Sequence, residues 1–523
     1  MMNFRQVAQL GLSILHAFKS HLHEPAYLLV TAAVSGALTV LGFAPFYFYL
    51  VPFATLLVLY WLLDQSSTPG QAGWVGLSFG LGMYAAGLSW MVGTLHDFGE
   101  MPSWLAYIST IMLCLYLASF TAAATWLVVY TRSLWFLPVA WGMADWLRSW
   151  ICSGFPWLTM GYSQVPSSVL SSYLPVMGVY GLSIIVVAMA ALIFYMLRFR
   201  GHRRWINALS ALVIAGIAMT LHHITWTTQI GAPVSVALLQ GNISQQTKWS
   251  VEQSKQIILS YLDLLDQADA RVVVLPETAF PIYRSQAMGK TRGKLLGLAS
   301  EKQADILIGM LDWQDGAEGR KKFNAVVNYG ISGLQIQHKV HLVPFGEFIP
   351  LPLLFAPMYA YWFHMPHNDF SVGKRQPLFS LGQAEVAISI CYDDLFGGDL
   401  AEYARNADYL VSVSNGAWFG KSAGLEQYLQ FSQARAIENQ KIIVRASNNG
   451  VTAFIDKTGE VIKRAPKDER YILRHRVQPY HGSTFYNLWQ DTLFWGLELI
   501  GFITLIARLW IVKKNSQNHS TCV

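Results

Sequence analysis

Long apolar stretches dominate the first part of the chain and recur at its end. Eight of them have roughly the length that crosses a bilayer core, about 17 to 25 residues. They lie near residues 26–44, 47–63, 74–95, 106–129, 133–147, 176–197, 205–222 and 493–512. We therefore predict a multi-pass α-helical membrane domain over 1–225, with about seven helices, and a C-terminal transmembrane helix over 493–512.

The fifth stretch, 133–147, is the weakest of the eight because Asp145 and Arg148 lie at its end. Charged side chains inside a membrane segment are costly and usually functional, whereas charges at a helix end commonly mark the membrane interface. We favour the interface interpretation for these two residues.

The long segment between the seventh and eighth apolar stretches has a different pattern. Short β-branched runs alternate with polar stretches of helical periodicity. Strands are predicted at 234–239, 272–275, 306–310, 387–390, 409–414, 442–445 and 452–455, and the clearest helices at 245–269 and 424–439. Helices between strands favour a layered sheet, so we predict an α/β domain over 230–485.

Basic residues indicate how the helices are oriented, since short cytoplasmic loops are enriched in Lys and Arg. Residues 1–24 lack the pattern of a cleavable signal, so we expect the first helix to be retained. If the N-terminus is inside, the basic positions fall on one side of the membrane: Arg132, Arg198, Arg200, Arg203, Arg204, Lys513 and Lys514. An even number of helices then places both termini, including a tail over 513–523, in the cytoplasm and the α/β domain on the far side.

Composition agrees with a membrane class, because 53% of the residues are hydrophobic and only 13% are charged. The formal net charge of +6 is small for 523 residues, which argues against a nucleic-acid partner. Four cysteines, Cys114, Cys152, Cys391 and Cys522, show no paired spacing and no cluster with histidine. We therefore expect no disulfide framework, no metal site and no cofactor.

Three short motifs at the ends of predicted strands carry residues suited to acyl chemistry. They are Leu275–Thr278, His338–Glu347 and Ile388–Asp393. A cysteine reacts as its thiolate, so it needs a base to take its proton and a cation or donor for the oxyanion. Within these motifs Cys391 can be the nucleophile, Glu277 the base and Lys339 the cation.

Each of these three residues also has a simpler interpretation. A cysteine that ends an apolar strand is usually a small buried hydrophobic residue. Glu277 alone would more often be a surface carboxylate, and Lys339 alone a solvated loop residue. In the chain order Glu, Lys, Cys and with their flanking residues, however, they resemble the catalytic triad of the nitrilase superfamily.

Further motifs narrow this resemblance. They are Gln240–Ile243 with Lys248–Trp249, Phe323–Asn324, His341–Phe348, Ser414–Gly420 and Ser447–Gly450, together with Gly154–Trp157 and Gly161–Gln164 between predicted membrane helices. All of them resemble the apolipoprotein N-acyltransferase family, the membrane-embedded branch of the superfamily. The match covers nearly the whole chain and is highly specific, because soluble nitrilases have no such membrane half. It implies an α-β-β-α sandwich for the domain over 230–485.

The resemblance also implies roles for individual residues. Cys391 is the expected nucleophile, Glu277 the general base and Lys339 the oxyanion stabiliser. Glu347 resembles an additional active-site glutamate that orients Lys339 or assists proton transfer, and a purely structural carboxylate is the alternative. Asn324 resembles a position near the site.

Three aromatic residues, Trp249, Tyr392 and Trp418, match positions close to the site and its lipid substrates, although an aromatic residue in an α/β protein is as often part of the core. Two positions depart from the family pattern. Asp393 stands where glutamate is common, which keeps the charge but leaves its role open. Tyr428, after Gln427, stands where a histidine is usual, which puts that histidine's role in doubt.

The resemblance implies an acyltransferase that uses one nucleophile twice. Cys391 is expected to take an acyl chain from a phospholipid, the sn-1 chain of phosphatidylethanolamine, and to pass it to the α-amino group of an apolipoprotein's diacylglyceryl-cysteine. This is the last step of lipoprotein maturation, at a bacterial inner membrane with the catalytic domain in the periplasm. The segment 345–361 is either a lid or membrane-touching arm, or a plain packed loop.

Two alternatives for the function stay open. The first is a membrane-anchored amidase or nitrilase that acts on a small C–N substrate. The second is a catalytically silent scaffold that binds lipoproteins, against which the presence of all three triad residues argues.

Overall fold

The computed structural model describes residues 25–287, 289–316, 319–363 and 369–520. Our expectations for residues 1–24 and for Cys522 lie outside these ranges. The helices are α1 (Pro25–Thr39), α2 (Val51–Gln65), α3 (Pro69–Gly87), α4 (Ser103–Tyr130), α5 (Leu137–Arg148), α6 (Leu174–Arg198), α7 (His202–His222), α8 (Val251–Gln267), α9 (Lys290–Lys302), α10 (Pro352–Phe363), α11 (Gly397–Tyr403), α12 (Gly424–Asn439), α13 (Phe485–Trp489) and α14 (Thr492–Ser520). Two short helices, Met91–Gly93 and Gln245–Lys248, and several 3₁₀ turns lie between them.

Each of the eight predicted apolar stretches contains a helix, but their lengths differ. Within the described residues, four helices are long and apolar enough to cross a membrane: α4, α6 extended to Val169, α7 and α14. A fifth crossing results if α3 and Met91–Phe98, bent by 61°, form one broken span. Helices α1 and α2 are shorter, and the 12 residues of α5 extend only about 18 Å at 1.5 Å per residue. Eight membrane crossings are therefore not confirmed.

The helical part is closely packed where glycines face a neighbouring backbone. A Cβ atom on Gly36 of α1 would lie 1.9 Å from the carbonyl oxygen of Phe79 in α3, and a Cβ on Gly82 would lie 1.9 Å from the carbonyl oxygen of Ala33. Small residues allow apolar helices to approach this closely. These two reciprocal glycines thus set the distance between α1 and α3.

The two charges of α5 form a buried ion pair. Asp145 and Arg148 are 3% and 1% exposed. The Arg148 guanidinium donates to the Trp157 carbonyl at 2.9 Å, and Asp145 accepts from the Met160 amide at 3.0 Å and from the Ser183 hydroxyl at 2.8 Å. The pair therefore holds the loop between α5 and α6, which is more than the interface marking that we expected from the sequence.

The segment after α7 forms two large sheets and one small one. The strands are β1 (Thr227–Gln229), β2 (Val234–Gln240), β3 (Val272–Val274), β4 (Phe280–Tyr283), β5 (Asp305–Gly316), β6 (Gly319–Gly330), β7 (Gly333–His338), β8 (Phe379–Leu381), β9 (Ala384–Ile390), β10 (Tyr409–Ser414), β11 (Ile443–Ser447), β12 (Ala453–Ile455), β13 (Val461–Arg464), β14 (Tyr471–Val477) and β15 (Tyr480–Gly482). The first large sheet has the order β14-β2-β3-β5-β6-β7 with β4 beside β5, and the second has the order β13-β12-β11-β10-β9-β8. The small sheet pairs β1 with β15.

Hydrophobic side chains define four layers. One cluster lies between the two large sheets, with Val274 of β3 on one side and Ile388 of β9 on the other. A second cluster, including Leu262, packs α8 and α9 on the outer face of the first sheet. A third, including Leu400 and Leu429, packs α11 and α12 on the outer face of the second. The predicted α/β class and the α-β-β-α arrangement are thus confirmed.

Helix α12 also connects the α/β part to the helical part. The Gln427 side-chain oxygen accepts hydrogen bonds from the indole N–H groups of Trp90 at 3.0 Å and of Trp157 at 2.7 Å. The Gln430 amide donates to the carbonyl of Tyr162 at 2.9 Å. Because buried polar groups of one part are satisfied by the other, the two parts are fitted to each other at α12.

Candidate active site

The three predicted triad residues come from strands of both large sheets. Glu277 follows β3, Lys339 follows β7 directly, and Cys391 follows β9 directly. Catalytic groups in α/β folds commonly lie where strands give way to loops. The structure brings the ionisable side chains of all three motifs together at one end of the sandwich.

A buried network joins Glu277 and Lys339. The Lys339 ammonium lies 3.1 Å from Glu277 Oε1 and 2.8 Å from Glu347 Oε2. The Asn324 amide on β6 donates to both carboxylates, at 2.7 Å to Glu277 and 3.0 Å to Glu347. The two predicted supporting residues Glu347 and Asn324 are therefore direct neighbours of the triad.

The second carboxylate oxygen of Glu277 has a backbone partner. The Asn415 amide N–H donates to Glu277 Oε2 at 3.0 Å. Asn415 follows β10, and its side chain is held by Gln245 at 2.7 Å and by Asn448 at 3.2 Å. The asparagine motifs that resemble the family thus fix the orientation of the expected base, a role that the sequence did not assign to them.

Cys391 lies in a sharp turn at the end of β9. Its φ angle of 51° is in the left-handed region, which a residue other than glycine rarely adopts. Such strain is found mainly at functional sites. The side chain is half-buried and packs against two hydrophobic clusters, the one between the sheets and the one of the helical part. Cys391 therefore lies at the junction of both parts.

Electrostatics keeps the Cys391 thiol protonated in the resting state. The pKa of Cys391 is raised to about 12, chiefly by burial and also by the Glu277 carboxylate, while Lys339 acts to lower it. Burial acts to raise the pKa of Glu277, but Lys339, Lys248 and the Cys391 thiol outweigh this effect, so the net pKa of Glu277 is lowered. An ionised carboxylate thus lies beside a protonated thiol, as general-base catalysis requires.

Lys339 is held as an ammonium ion. Burial acts to lower the pKa of Lys339, but the carboxylates of Glu277 and Glu347 raise it well above the usual value. A permanent cation beside Cys391 is suited to stabilise negative charge that develops there.

A second buried lysine is part of the same site. The Lys248 ammonium, 2% exposed, donates to the Glu277 carbonyl at 3.2 Å and to the Thr278 hydroxyl at 2.5 Å. Burial lowers the pKa of Lys248 to about 8, although Glu277 and Cys391 act to raise it. The sequence places Lys248 in a motif but predicts no role for it, because no local pattern shows which lysines are buried.

Asp393 has a structural position behind the triad. Its Oδ1 accepts from the backbone N–H groups of Val340 at 3.2 Å and His341 at 2.7 Å, and its Oδ2 accepts from the Ile390 N–H at 3.2 Å. The Arg375 guanidinium lies 3.6 Å from the same carboxylate. Asp393 therefore ties the loop that carries Lys339 to the turn that carries Cys391.

The three predicted aromatic contacts differ in their surroundings. Trp249 is 49% exposed, and the Lys248 ammonium lies 5.9 Å from its ring centroid. Tyr392 is buried, and its hydroxyl donates to the Gly154 carbonyl of the helical part at 2.7 Å. Trp418 is half-buried, and its carbonyl accepts from the Thr94 hydroxyl at 2.7 Å. Their contact with a substrate stays a prediction.

Two other expectations concern this region. The first is the segment 345–361, which contains most of helix α10. Leu353 near the start of this helix is 98% exposed, whereas Phe345 packs edge-on against Phe355.

The second concerns a metal site. Within the described ranges, no three His, Cys, Asp or Glu side chains are grouped as ligands of a metal ion.

Comparisons with known proteins agree with these motifs. Residues 35–192 match the family described as the apolipoprotein N-acyltransferase N-terminal domain, and residues 235–484 match the carbon-nitrogen hydrolase family. An apolipoprotein N-acyltransferase from Nitrosomonas europaea is 40% identical over 494 residues, which cover 92% of this chain and 97% of that protein. One from Chromobacterium violaceum is 38% identical over 468 residues, covering 88% of this chain and 89% of that protein.

Proposed function

This chain belongs to the apolipoprotein N-acyltransferase family, and on that premise we propose that it moves an acyl chain from a phospholipid to a lipoprotein through a thioester on Cys391. Family membership makes the chain an acyltransferase of lipoprotein biosynthesis with a lipoprotein acceptor, since the relatives carry that name over nearly their whole length. The thioester, the acyl donor and the individual residue roles are our proposal.

The observation that carries the proposal is the buried arrangement around Cys391. The ionised Glu277 carboxylate is held on one side by Lys339 at 3.1 Å and on the other by the Asn415 N–H at 3.0 Å. A thiol whose pKa is raised to about 12 cannot ionise alone near neutral pH, so it needs this base.

In the first half-reaction, Glu277 takes the thiol proton while Cys391 Sγ bonds to the carbonyl carbon of the phospholipid ester. Lys339 stabilises the resulting oxyanion. The bond from that carbon to the glycerol oxygen then breaks, and the oxygen leaves with the proton that Glu277 had taken. The products are a lysophospholipid and an acyl thioester on Cys391. The donor that we propose is the sn-1 chain of phosphatidylethanolamine.

In the second half-reaction, the α-amino group of a diacylglyceryl-cysteine attacks the thioester carbon. A C–N bond forms, the C–S bond breaks, and one amine proton passes by way of Glu277 to the leaving sulfur. The amide product leaves and the Cys391 thiol is restored. One nucleophile used twice gives ping-pong kinetics.

We propose that both substrates reach the site from a membrane. Helices α4, α6, α7 and α14 are apolar and long enough to span it, and α12 attaches the catalytic part to the helical part. The basic loops favour cytoplasmic termini and a periplasmic catalytic domain over 230–485. Trp249, Tyr392 and Trp418 are then the proposed aromatic contacts for lipid.

The test is mass spectrometry of the purified protein after incubation with phosphatidylethanolamine, with Cys391→Ala as the matched variant. We expect an acyl-sized adduct on the Cys391 peptide that hydroxylamine removes and that Cys391→Ala lacks. Folded protein that takes up no acyl group would contradict the thioester. Release of ammonia from a small amide without any phospholipid would instead support the amidase alternative.

A further inference from the structure

Tyr428 has a buried hydroxyl group that the fold leaves without a partner. The residue lies in the second turn of α12 and is 2% exposed. Among the described residues, its hydroxyl makes no hydrogen bond to protein. Buried hydroxyl groups nearly always find a partner, because an unpaired one costs stability.

The ring of Tyr428 is held firmly in place. Its centroid lies 5.6 Å from that of Phe419 and 6.3 Å from that of Trp157. The Arg445 guanidinium lies 4.2 Å from the ring centroid and is itself fixed by the Asp394 carboxylate at 2.9 Å. Because these neighbours surround the ring, the hydroxyl has little freedom to turn elsewhere.

Helix α12, which carries Tyr428, packs against the turn that begins at Cys391. The Ser432 hydroxyl, one helical turn after Tyr428, donates to the Asp394 carboxylate of that turn at 2.8 Å. Cys391 packs against the hydrophobic cluster that contains Tyr428. The pKa of Cys391 is raised to about 12, mainly by burial, and the nearby Tyr428 hydroxyl acts to lower it. In turn, burial and the neighbouring Cys391 raise the pKa of Tyr428 well above its usual value, so the phenol keeps its proton.

We propose that Tyr428 is a further catalytic residue, whose hydroxyl donates a hydrogen bond to Cys391 Sγ when negative charge develops on the sulfur. Negative charge develops on the sulfur twice. The first time is when the thiol loses its proton to Glu277, and the second is when the amine displaces the sulfur and the C–S bond breaks. Hydrogen bonds to charged groups are the strong ones. The hydroxyl therefore makes no hydrogen bond to the described part of the chain in the resting enzyme and donates one to Cys391 Sγ in the transition states. This inference rests on Cys391 being the nucleophile of the proposed function.

If Tyr428 had a purely structural role, its ring would be sufficient and its hydroxyl would not be needed. Phenylalanine fills the same space among Trp157, Phe419 and Arg445 and lacks the unpaired hydroxyl. If the fold alone mattered, Tyr428→Phe would be neutral or stabilising and would leave the thiol's reactivity unchanged.

The experiment measures alkylation of Cys391 by iodoacetamide as a function of pH, in the full-length detergent-solubilised protein and its Tyr428→Phe variant. This reaction needs neither phospholipid nor lipoprotein, so it succeeds or fails independently of the proposed acyl transfer. The matched control is Tyr409→Phe, because Tyr409 is also fully buried with an unpaired hydroxyl but lies on β10. Peptide mass spectrometry assigns the alkylation to Cys391.

In Tyr428→Phe we expect Cys391 to be alkylated roughly tenfold more slowly at each pH below the thiol pKa. The apparent pKa of Cys391 should be higher by about one unit. Tyr409→Phe should match the wild type, and Tyr428→His, which restores an N–H donor, should recover part of the rate. An unchanged rate in Tyr428→Phe would overturn the proposal. So would unfolding of that variant, because it would show that the hydroxyl serves the fold.

Discussion

The Lys339 ammonium lies 3.1 Å from Glu277 Oε1, and both side chains are almost completely buried. Away from water this pairing keeps the carboxylate ionised, since opposite charges interact far more strongly there than in solvent. In the mechanism that we propose, Glu277 is therefore ionised before any substrate binds, and the remaining barrier is removal of the proton from the Cys391 thiol, whose pKa is raised.

Replacing Glu277 by Gln should remove that base while preserving the shape of the site. We expect formation of the Cys391 acyl adduct to slow by roughly 10²- to 10⁴-fold, the usual contribution of a positioned general base. Time-resolved mass spectrometry of the adduct measures the rate. Glu252→Gln, at an exposed position in α8, is the control. Equal rates in Glu277→Gln and the wild type would show that another group takes the proton.

Lys248 should give the reaction an alkaline limit. Its pKa of about 8 means that it is an ammonium ion below that pH and neutral above it. The ammonium interacts favourably with negative charge on the Cys391 sulfur, so we expect the rate of adduct formation to fall as the pH rises through about 8.

The variant Lys248→Met should be slower at pH 7 by roughly tenfold, and its rate should no longer fall near pH 8. Lys441→Met is a matched control, because burial lowers the pKa of Lys441 to about 8 as well, while its ammonium binds the carbonyls of Ala404 and Arg405 instead. If the fall near pH 8 disappears in Lys441→Met and persists in Lys248→Met, the assignment is wrong.

Asp393 should matter for stability as much as for activity. Asp393→Ala leaves the N–H groups of Val340, His341 and Ile390 without their acceptor, and each buried unpaired donor costs about 1 to 3 kcal/mol. We expect a clearly lower midpoint of thermal unfolding and reduced adduct formation. Asp393→Glu should be affected less, because it keeps the charge but must fit one more methylene. A midpoint unchanged in Asp393→Ala would contradict this linking role.

The buried pair of α5 offers a test of the helical part. Arg148→Met leaves the buried Asp145 carboxylate without its cation, which should lower the free energy of unfolding by about 3 to 5 kcal/mol. Adding Asp145→Asn removes the unpaired buried charge, so the double variant should unfold at a higher temperature than Arg148→Met alone. A double variant that is less stable than both single variants would show that the two residues act independently.

Local patterns in the sequence determined much of the architecture. The predicted bounds of α12 and β10 coincide with those observed, and the order of Glu277, Lys339 and Cys391 located the three motifs that meet in the site. Periodicity carries this information because each residue of a helix or strand repeats the same exposure to core and solvent. The predicted helix 245–269, however, is interrupted before Ser250, whose hydroxyl caps α8 by accepting from the Gln253 N–H.

Tertiary structure alone decided which polar residues are buried and whom they contact. Lys248 and Asn415 join the site through neighbours far away in the chain, and the helix that carries Tyr428 packs against the turn of Cys391. The Asp145–Arg148 pair is enclosed by the loop that it holds. The same holds for the helices, since apolar composition predicted all eight but the lengths of α1, α2 and α5 depend on how the chain turns. Sequence patterns report what a residue prefers locally, whereas burial and partner choice arise only when distant strands and helices pack together.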